Sequence, residues 1–356
     1  MKFPRRTSFL ISLILSTFVG VLLASQATRA EGESPGSFHF TQFSISPQAR
    51  VQEPSQGGFE LRDSFIGFDW RRDQSPNSLS GQFSFGTGDL ITPAIWYLAK
   101  PLQLEMVTAA LQLKTSYMDI KAGLIPISNG YEGSVAESEL LLPETDTRSR
   151  RWFTRRDYGV ELKTSRSPYL AKVAIHNGES GPNSDQKLWM TGLWSYLNSS
   201  GIGLLATAEV GSTDVRSTGT STAANLDQGF DFDPTQNAKI RHGSLSIYRA
   251  WRRNFMLAEM GRGEILQFDQ KHPFGWGHVD LSAHLGGDLN LLLRYEQTQS
   301  DLNKAATVIK SSDLGFSVSS KDGLSAVTLW GKHHETNPQK SSDEALLILR
   351  LHSNLF

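Results

Sequence analysis

Tyr117-Met118-Asp119-Ile120-Lys121-Ala122-Gly123-Leu124 sorts its residues by parity. Met118, Ile120, Ala122 and Leu124 fall on one face, and Tyr117, Asp119, Lys121 and Gly123 on the other. A strand whose two faces meet hydrocarbon and water needs this period of two. On a helix the same order would scatter the apolar residues around the axis.

The same separation recurs along the chain. Ile202, Leu204, Ala206, Ala208 and Val210 alternate with Gly203, Leu205, Thr207 and Glu209. Val279, Leu281, Ala283 and Leu285 alternate with His278, Asp280, Ser282 and His284, and Leu289, Leu291, Leu293 and Tyr295 with Asn290, Leu292, Arg294 and Glu296. Tyr158, Val160 and Leu162 oppose Asp157, Glu161 and Lys163, while Tyr169, Ala171, Val173 and Ile175 oppose Lys172 and His176. Read through, the pattern predicts strands near 37–47, 58–72, 80–87, 103–113, 116–125, 156–165, 169–178, 187–197, 201–211, 241–251, 255–265, 276–285, 289–299, 311–319, 324–333 and 345–356. The expectation is an all-β, transmembrane antiparallel β-barrel of about sixteen strands, with fourteen as the alternative count.

The connections sort into two kinds. Short ones fall near Asn77, Thr115, Ser167, Ser199, Arg253, Gly287 and Asp322, with turn-forming residues at or beside them. Longer polar ones are expected at 48–57, 88–102, 126–155, 179–186, 212–240, 266–275, 300–310 and 334–344, in strict alternation with the short ones. With both termini in the periplasm, the short turns are periplasmic and the long loops external. At ~10 residues per strand, sixteen strands take up about half of residues 31–356 and leave no room for a sizeable soluble domain.

Residues 1–30 read as a targeting segment. Lys2, Arg5 and Arg6 precede an uncharged apolar run from Phe9 to Ala24, and the small residues Ser25, Ala27 and Ala30 follow. Cleavage is expected after Ala30 or, failing that, after Ala27, leaving 31–356 as the barrel. That part has no apolar run long enough for a spanning helix, which needs ~20 residues. Cysteine is absent, which excludes a disulfide framework and thiolate metal sites. Net charge is -1, so there is no overall basic field for nucleic acid. The mean hydropathy of -0.31 does not argue against a barrel, because lumen-facing residues and loops offset the lipid-facing half. Phe59, Trp70, Trp96, Tyr158, Tyr169, Trp194, Tyr196, Trp251, Phe255, Trp276, Tyr295 and Trp330 are expected mostly near strand ends at headgroup level.

Phe59-Glu60-Leu61-Arg62, Ile66-Gly67-Phe68 and Gln82-Phe83-Ser84-Phe85 resemble the opening strands of the phosphate-selective porin O/P family. Leu104 to Lys114 followed by Met118-Asp119-Ile120-Lys121-Ala122-Gly123-Leu124-Ile125-Pro126 is similar to that family's hairpin before a long inward loop. Asp157-Tyr158-Gly159-Val160-Glu161-Leu162 and Ala174-Ile175-His176-Asn177-Gly178-Glu179 resemble its next hairpin. The resemblance covers residues 58–211 and rests on order and spacing. It implies about sixteen strands, a homotrimer, a third external loop folded inward as a constriction, and diffusion of small anionic or polar solutes. The chain is short for that family and lacks an evident lysine ladder. A terminal Phe356 is a signal for outer-membrane assembly machinery in such barrels. Here, though, the apolar set Leu347, Leu349, Leu351 and Leu355 has the opposite parity, so a bulge near Ser353 or an interfacial Phe356 is expected.

The longest connection, 126–155, holds Glu132, Glu137, Glu139, Glu144 and Asp146, then Arg148, Arg150, Arg151 and Arg155, with Arg156 just beyond. Opposed charges in a narrow pore orient and filter solutes, and rings of Arg favour anions. Arg148, Arg150, Arg151, Arg155, Arg156, Glu137 and Glu139 are the candidate constriction residues; a solvated charge run on an external loop is the competing reading. Asp119, Lys121, Glu161, Lys163, Lys172 and Arg294 have lumen parity. Enzyme signatures such as HExxH, the P-loop and G-x-S-x-G are missing, and the His272, His278, His284 spacing suits a polar lumen face better than a metal. The expectation is a non-enzymatic outer-membrane porin without cofactor or metal, in contact with outer-membrane lipid and not with nucleic acid. A non-conducting structural or adhesive barrel and a secreted soluble β-sandwich are the alternatives.

Overall fold

The computed structural model describes residues 37–52, 56–72, 78–86, 105–135, 140, 142–149, 152–153, 156–178, 188–213, 238–320, 325–336 and 340–354; over most of the first two strands and at a few strand ends, only the backbone is described. Within these residues, sixteen antiparallel strands close into one barrel. They are β1 (Ser37–Gln52), β2 (Gln56–Arg72), β3 (Ser78–Gly86), β4 (Glu105–Lys114), β5 (Asp119–Pro126), β6 (Arg156–Arg166), β7 (Tyr169–His176) and β8 (Trp189–Leu197). The second half continues with β9 (Ile202–Thr213), β10 (Ala238–Trp251), β11 (Asn254–Gln267), β12 (Gln270–Gly286), β13 (Leu289–Gln299), β14 (Val308–Ser319), β15 (Ser325–Thr336) and β16 (Lys340–Asn354). Each strand pairs with its sequence neighbours, and β1 closes on β16 through Gln42 opposite Asn354, Ile45 opposite Leu351 and Gln52 opposite Glu344. Closure leaves no edge, so every strand has a hydrogen-bonding neighbour on both sides, as a hydrocarbon surround requires.

The wall is inverted relative to a soluble protein. Val160, Leu162, Val173, Ile175, Leu245, Ile247, Val279, Leu314, Phe316 and Val318 are exposed on the outer surface, whereas Glu161, Glu209, Glu259, Asp280, Arg294, Glu296 and Lys332 are buried inside. Burying those apolar side chains would normally contribute about 1.5–3 kcal/mol each. Leaving them outward is stable only where the surround is itself apolar.

All seven connections on one side are short, from the two residues 167–168 to the five residues 320–324. The other side carries the long segments 87–104, 127–155, 177–188 and 214–237, but the expected strict alternation does not hold there. Residues 53–55 and 337–339 alone separate their strands, and β11 turns into β12 through Phe268 and Asp269, both at positive φ (49° and 60°). That is a two-residue hairpin turn. Strands reach into the ranges 48–57, 266–275 and 334–344, expected as loops, because they continue beyond the apolar belt. Water meets both faces there, and alternation is no longer demanded.

Two further expectations need correction. Of the two alternatives at the C-terminus, the bulge near Ser353 is not seen among the described residues, where β16 keeps one register against β1 as far as Asn354; Leu355 and Phe356 lie outside them. Phe255, Trp276 and Trp330 are buried on the inner face rather than placed at a headgroup girdle, because the interior packs against them. Phe59 and Trp96 lie where no side chain is described.

Candidate functional site

The segment after β5 turns into the barrel. Ile127, Ser128, Asn129, Gly130, Glu132, Leu142, Thr145, Asp146, Thr147 and Trp152 are all buried. A loop driven inside must find partners for its backbone N–H groups, since each buried orphan costs ~1–3 kcal/mol. The wall supplies partners, for backbone N–H groups and for a side-chain amide alike, as carboxylates on alternate strands.

Glu209 of β9 accepts from Asn129 Nδ2 at 3.0 Å. Glu259 of β11 accepts the Tyr131 N–H at 2.6 Å, together with Ser246 Oγ at 2.7 Å. Glu296 of β13 accepts the Asp146 N–H at 2.8 Å. Gly130 makes the approach of Glu259 feasible: its φ is +64°, and a Cβ there would sit 2.5 Å from Glu259 Oε1. Glu209 also lies 2.7 Å from His242 Nε2 and receives Thr191 Oγ1 at 3.1 Å, while His176 bridges Thr191 (2.8 Å) and Asp157 (2.9 Å). These charge-assisted contacts are the stronger kind of hydrogen bond.

Cations hold the other stretch of the loop. Asp280, Arg294, Asp313, Lys332 and Glu344 are direct neighbours across β12 to β16, an alternating row of five charges on one inner face. Arg294 binds Asp280 through Nε (2.7 Å) and Nη2 (2.8 Å), and reaches Glu132 Oε1 at 3.1 Å and the Pro143 carbonyl at 2.5 Å. Lys332 Nζ lies 2.6 Å from Asp146 Oδ1, with Asp313 at 3.9 Å and Glu296 at 4.0 Å. Arg350 of β16 donates to the Leu140 carbonyl. A short helix, α1 (Asp146–Ser149), carries Asp146 into this grip.

Apolar contacts complete the attachment. Trp152 meets Phe274 edge to face at 5.9 Å between ring centroids, and Phe153 packs against Trp276 at 4.6 Å. Leu142 joins Leu292, Trp330, Leu346 and Ile348. A cavity of about 280 Å³ remains between the loop and the wall, bordered by Tyr131, Glu132, Leu142, Tyr248, Phe255 and Arg294.

The opposite wall, β3 to β7, is wetter. Lys121, Lys163 and Lys172 face inward and are partly accessible. Lys121 Nζ donates to Gln82 Oε1 at 2.9 Å, Gln112 donates to Asp119 at 3.3 Å, and Lys172 pairs with Glu161 at 3.8 Å while reaching Ser128 Oγ at 3.4 Å. Lys163 stands directly across from Lys172 on one side and Asp119 on the other. Like charges opposed in this way are destabilising unless water screens them.

Of the candidate residues read from the sequence, Asp119, Lys121, Glu161, Lys163 and Lys172 form one continuous inner patch. Arg294 shares their parity but is buried under the loop. Arg148 turns back onto the loop, 3.3 Å from Glu144 and donating to the Glu132 carbonyl. Arg156 opens β6, half-buried opposite Pro126. Glu137, Glu139, Arg150, Arg151 and Arg155 lie outside the described residues. The anchoring groups Glu259, Asp313 and Lys332 were missed. Their signal was a charge at inward parity on a strand, but which loop residue each would meet is not written in any strand.

No protein-family model and no curated protein matches this sequence. Solved structures do resemble it. Outer-membrane expressed OmpT of Vibrio cholerae superposes with a TM-score of 0.67 at 10% identity, over 90% of this chain and 98% of that one. An anion-selective porin from Comamonas acidovorans gives 0.65 at 10% identity, covering 89% and 100%. The outer-membrane channel DcaP of Acinetobacter baumannii gives 0.60 at 10%, covering 91% and 99%. At such identity the likeness carries the fold of an outer-membrane β-barrel and nothing finer.

Proposed function

We propose that this protein is a bacterial outer-membrane porin, through which small polar solutes diffuse passively past a constriction formed by residues 126–155. The observation that carries the reading is the attachment of that loop to the inner wall by Glu209, Glu259, Glu296, Arg294 and Lys332, inside a barrel whose outer face is apolar. A loop so held narrows the lumen without closing it, and the partly accessible patch on β3 to β7 borders the remaining path.

An anion preference is part of the proposal. Lys121, Lys163 and Lys172 on the wall and Arg148, Arg150, Arg151, Arg155 and Arg156 on or beside the loop supply positive charge, with Glu137 and Glu139 opposing them. The selectivity named for the Comamonas porin and the sequence resemblance to phosphate-selective porins favour small oxyanions as the first solutes to test. Residues 1–30 act as the export signal, the assembly machinery inserts the barrel, and the working unit is a homotrimer.

Planar-bilayer recording across a salt gradient tests the reading. Ion conductance with a reversal potential favouring anions is expected. Absence of conductance from folded protein would sink the porin, leaving a structural or adhesive barrel, and a cation-favouring potential would remove the anion preference. Replacing Arg150 and Arg151 with Ala should shift the potential toward cations.

A further inference from the structure

The outer surface carries a charge pattern that the pore does not use. On β10 to β12 the outward residues rise in hydrogen-bonded rows from the apolar belt toward the hairpin at Phe268 and Asp269. Leu245 stands beside Met260 and Gly277; above them Gly243 beside Arg262 and Gly275; above those Arg241 beside Glu264 and Pro273; and at the top Lys239 beside Leu266 and Lys271. Lys239, Arg241, Arg262 and Lys271 are exposed. Arg241 reaches Glu264 at 2.7 Å, and among the described residues of these rows that carboxylate stands with four cations; Asp269, in the adjoining turn, is also exposed.

We propose that this cluster is a binding site for the phosphorylated headgroup of an outer-leaflet glycolipid. It lies at the end of the barrel that bears the long loops, where the apolar belt gives way to charge. Arg241 and Arg262 are diagonal neighbours on paired strands, ~7–8 Å apart, so together they span the width of one sugar-phosphate group. Gly243 and Ala208 flank Arg262 on one side and Gly275 on the other, and Gly277 lies a row below Gly275, so β12 offers a strip of outer wall without large side chains, bounded by Leu302 packed over Gly275. An acyl chain can lie along that strip while its phosphates meet the arginines, which offer paired N–H donors to phosphate oxygens. Phosphate charge supplies the complement to the excess of cations.

The site rests on the outer-membrane placement proposed above, but its test does not depend on conductance. Native mass spectrometry of the folded barrel in detergent, titrated with a bis-phosphorylated glycolipid (lipid A), should show retained lipid. Dephosphorylated lipid A, and the Arg241→Ala/Arg262→Ala double variant with intact lipid, should each bind roughly 30-fold more weakly. Arg249→Ala, an outward arginine at the opposite end of β10, should bind as the wild type does. Equal retention of dephosphorylated lipid or of phosphatidylglycerol, displacement by inorganic phosphate, or an unaffected double variant would overturn the assignment. The dephosphorylated lipid needs no variant, so a folding defect cannot mask the answer. Lipid retention without conductance would sink the porin reading alone, and conductance without retention would sink this one alone.

Discussion

Lys332 Nζ and Asp146 Oδ1 lie 2.6 Å apart, although 186 residues of chain separate them. The contact ties β15 to the inward loop, and both side chains are more than nine-tenths buried. Since Lys332 also faces Glu296 and Asp313, one ammonium offsets three carboxylates. Its removal affects more than one pair.

Lys332→Met should therefore release the 140–149 stretch of the loop while the barrel persists. Breaking a buried pair from one side costs ~3–5 kcal/mol. Single-channel recording should show larger or fluctuating conductance, and the heat-induced gel shift should move to lower temperature. Wild-type conductance and wild-type heat resistance together would refute the clamp.

Arg294 and Asp280 should be strongly coupled. Arg294→Leu leaves Asp280 and Glu132 without their cation and should cost ~3–5 kcal/mol, whereas Arg294→Leu with Asp280→Leu should recover at least ~1 kcal/mol. A double-mutant cycle in denaturant reads the difference. Strict additivity would mean that the two side chains do not act together.

Gly130→Ala places a Cβ against Glu259 at a backbone conformation, φ +64°, that alanine disfavours. The αL strain alone costs ~1–2 kcal/mol, and the loop must shift at the Tyr131 contact. The measurable outcome is altered conductance from a barrel that still folds and resists protease; unchanged conductance would mean that the approach is not needed.

On the wet wall, Lys163→Gln and Lys172→Gln remove the opposed like charges. The reversal potential in a salt gradient should shift toward cations for each. Stability should stay within ~0.5 kcal/mol of wild type or rise slightly, because a repulsion is lost. A potential unmoved by either change would place the selectivity elsewhere.

Leu314→Arg tests which face meets lipid. Leu314 is half-exposed on the outer wall between Leu293 and Gly331. A charge at that depth should destabilise by ~2–4 kcal/mol at the midplane and less nearer the surface. Equilibrium unfolding in lipid vesicles measures it, and a neutral result would be incompatible with an apolar surround.

The barrel was legible in the sequence because its cause is local. Met118, Ile120, Ala122 and Leu124 must share a face whatever the rest of the chain does, and the same two-residue period repeats from strand to strand. Short connections such as Ser167-Pro168 and Gly287-Asp288 were legible for the same reason, since turn chemistry resides in the residues themselves. Where the local cause lapsed the reading erred. Beyond the apolar belt, Lys271 and His272 on β12 look like loop because water bathes both faces.

The attachment of the inward loop had no local cause. Nothing in Glu259, Glu296 or Lys332 indicates that each will meet residues 128 to 186 positions earlier. Those partners are set by strand register and barrel closure, which bring β9, β11, β13 and β15 around a single loop. The sequence by itself determined that alternating strands would separate lipid from water. Only the tertiary structure decided which inward charges anchor the loop and which are left to face the water, because that depends on what stands opposite each one.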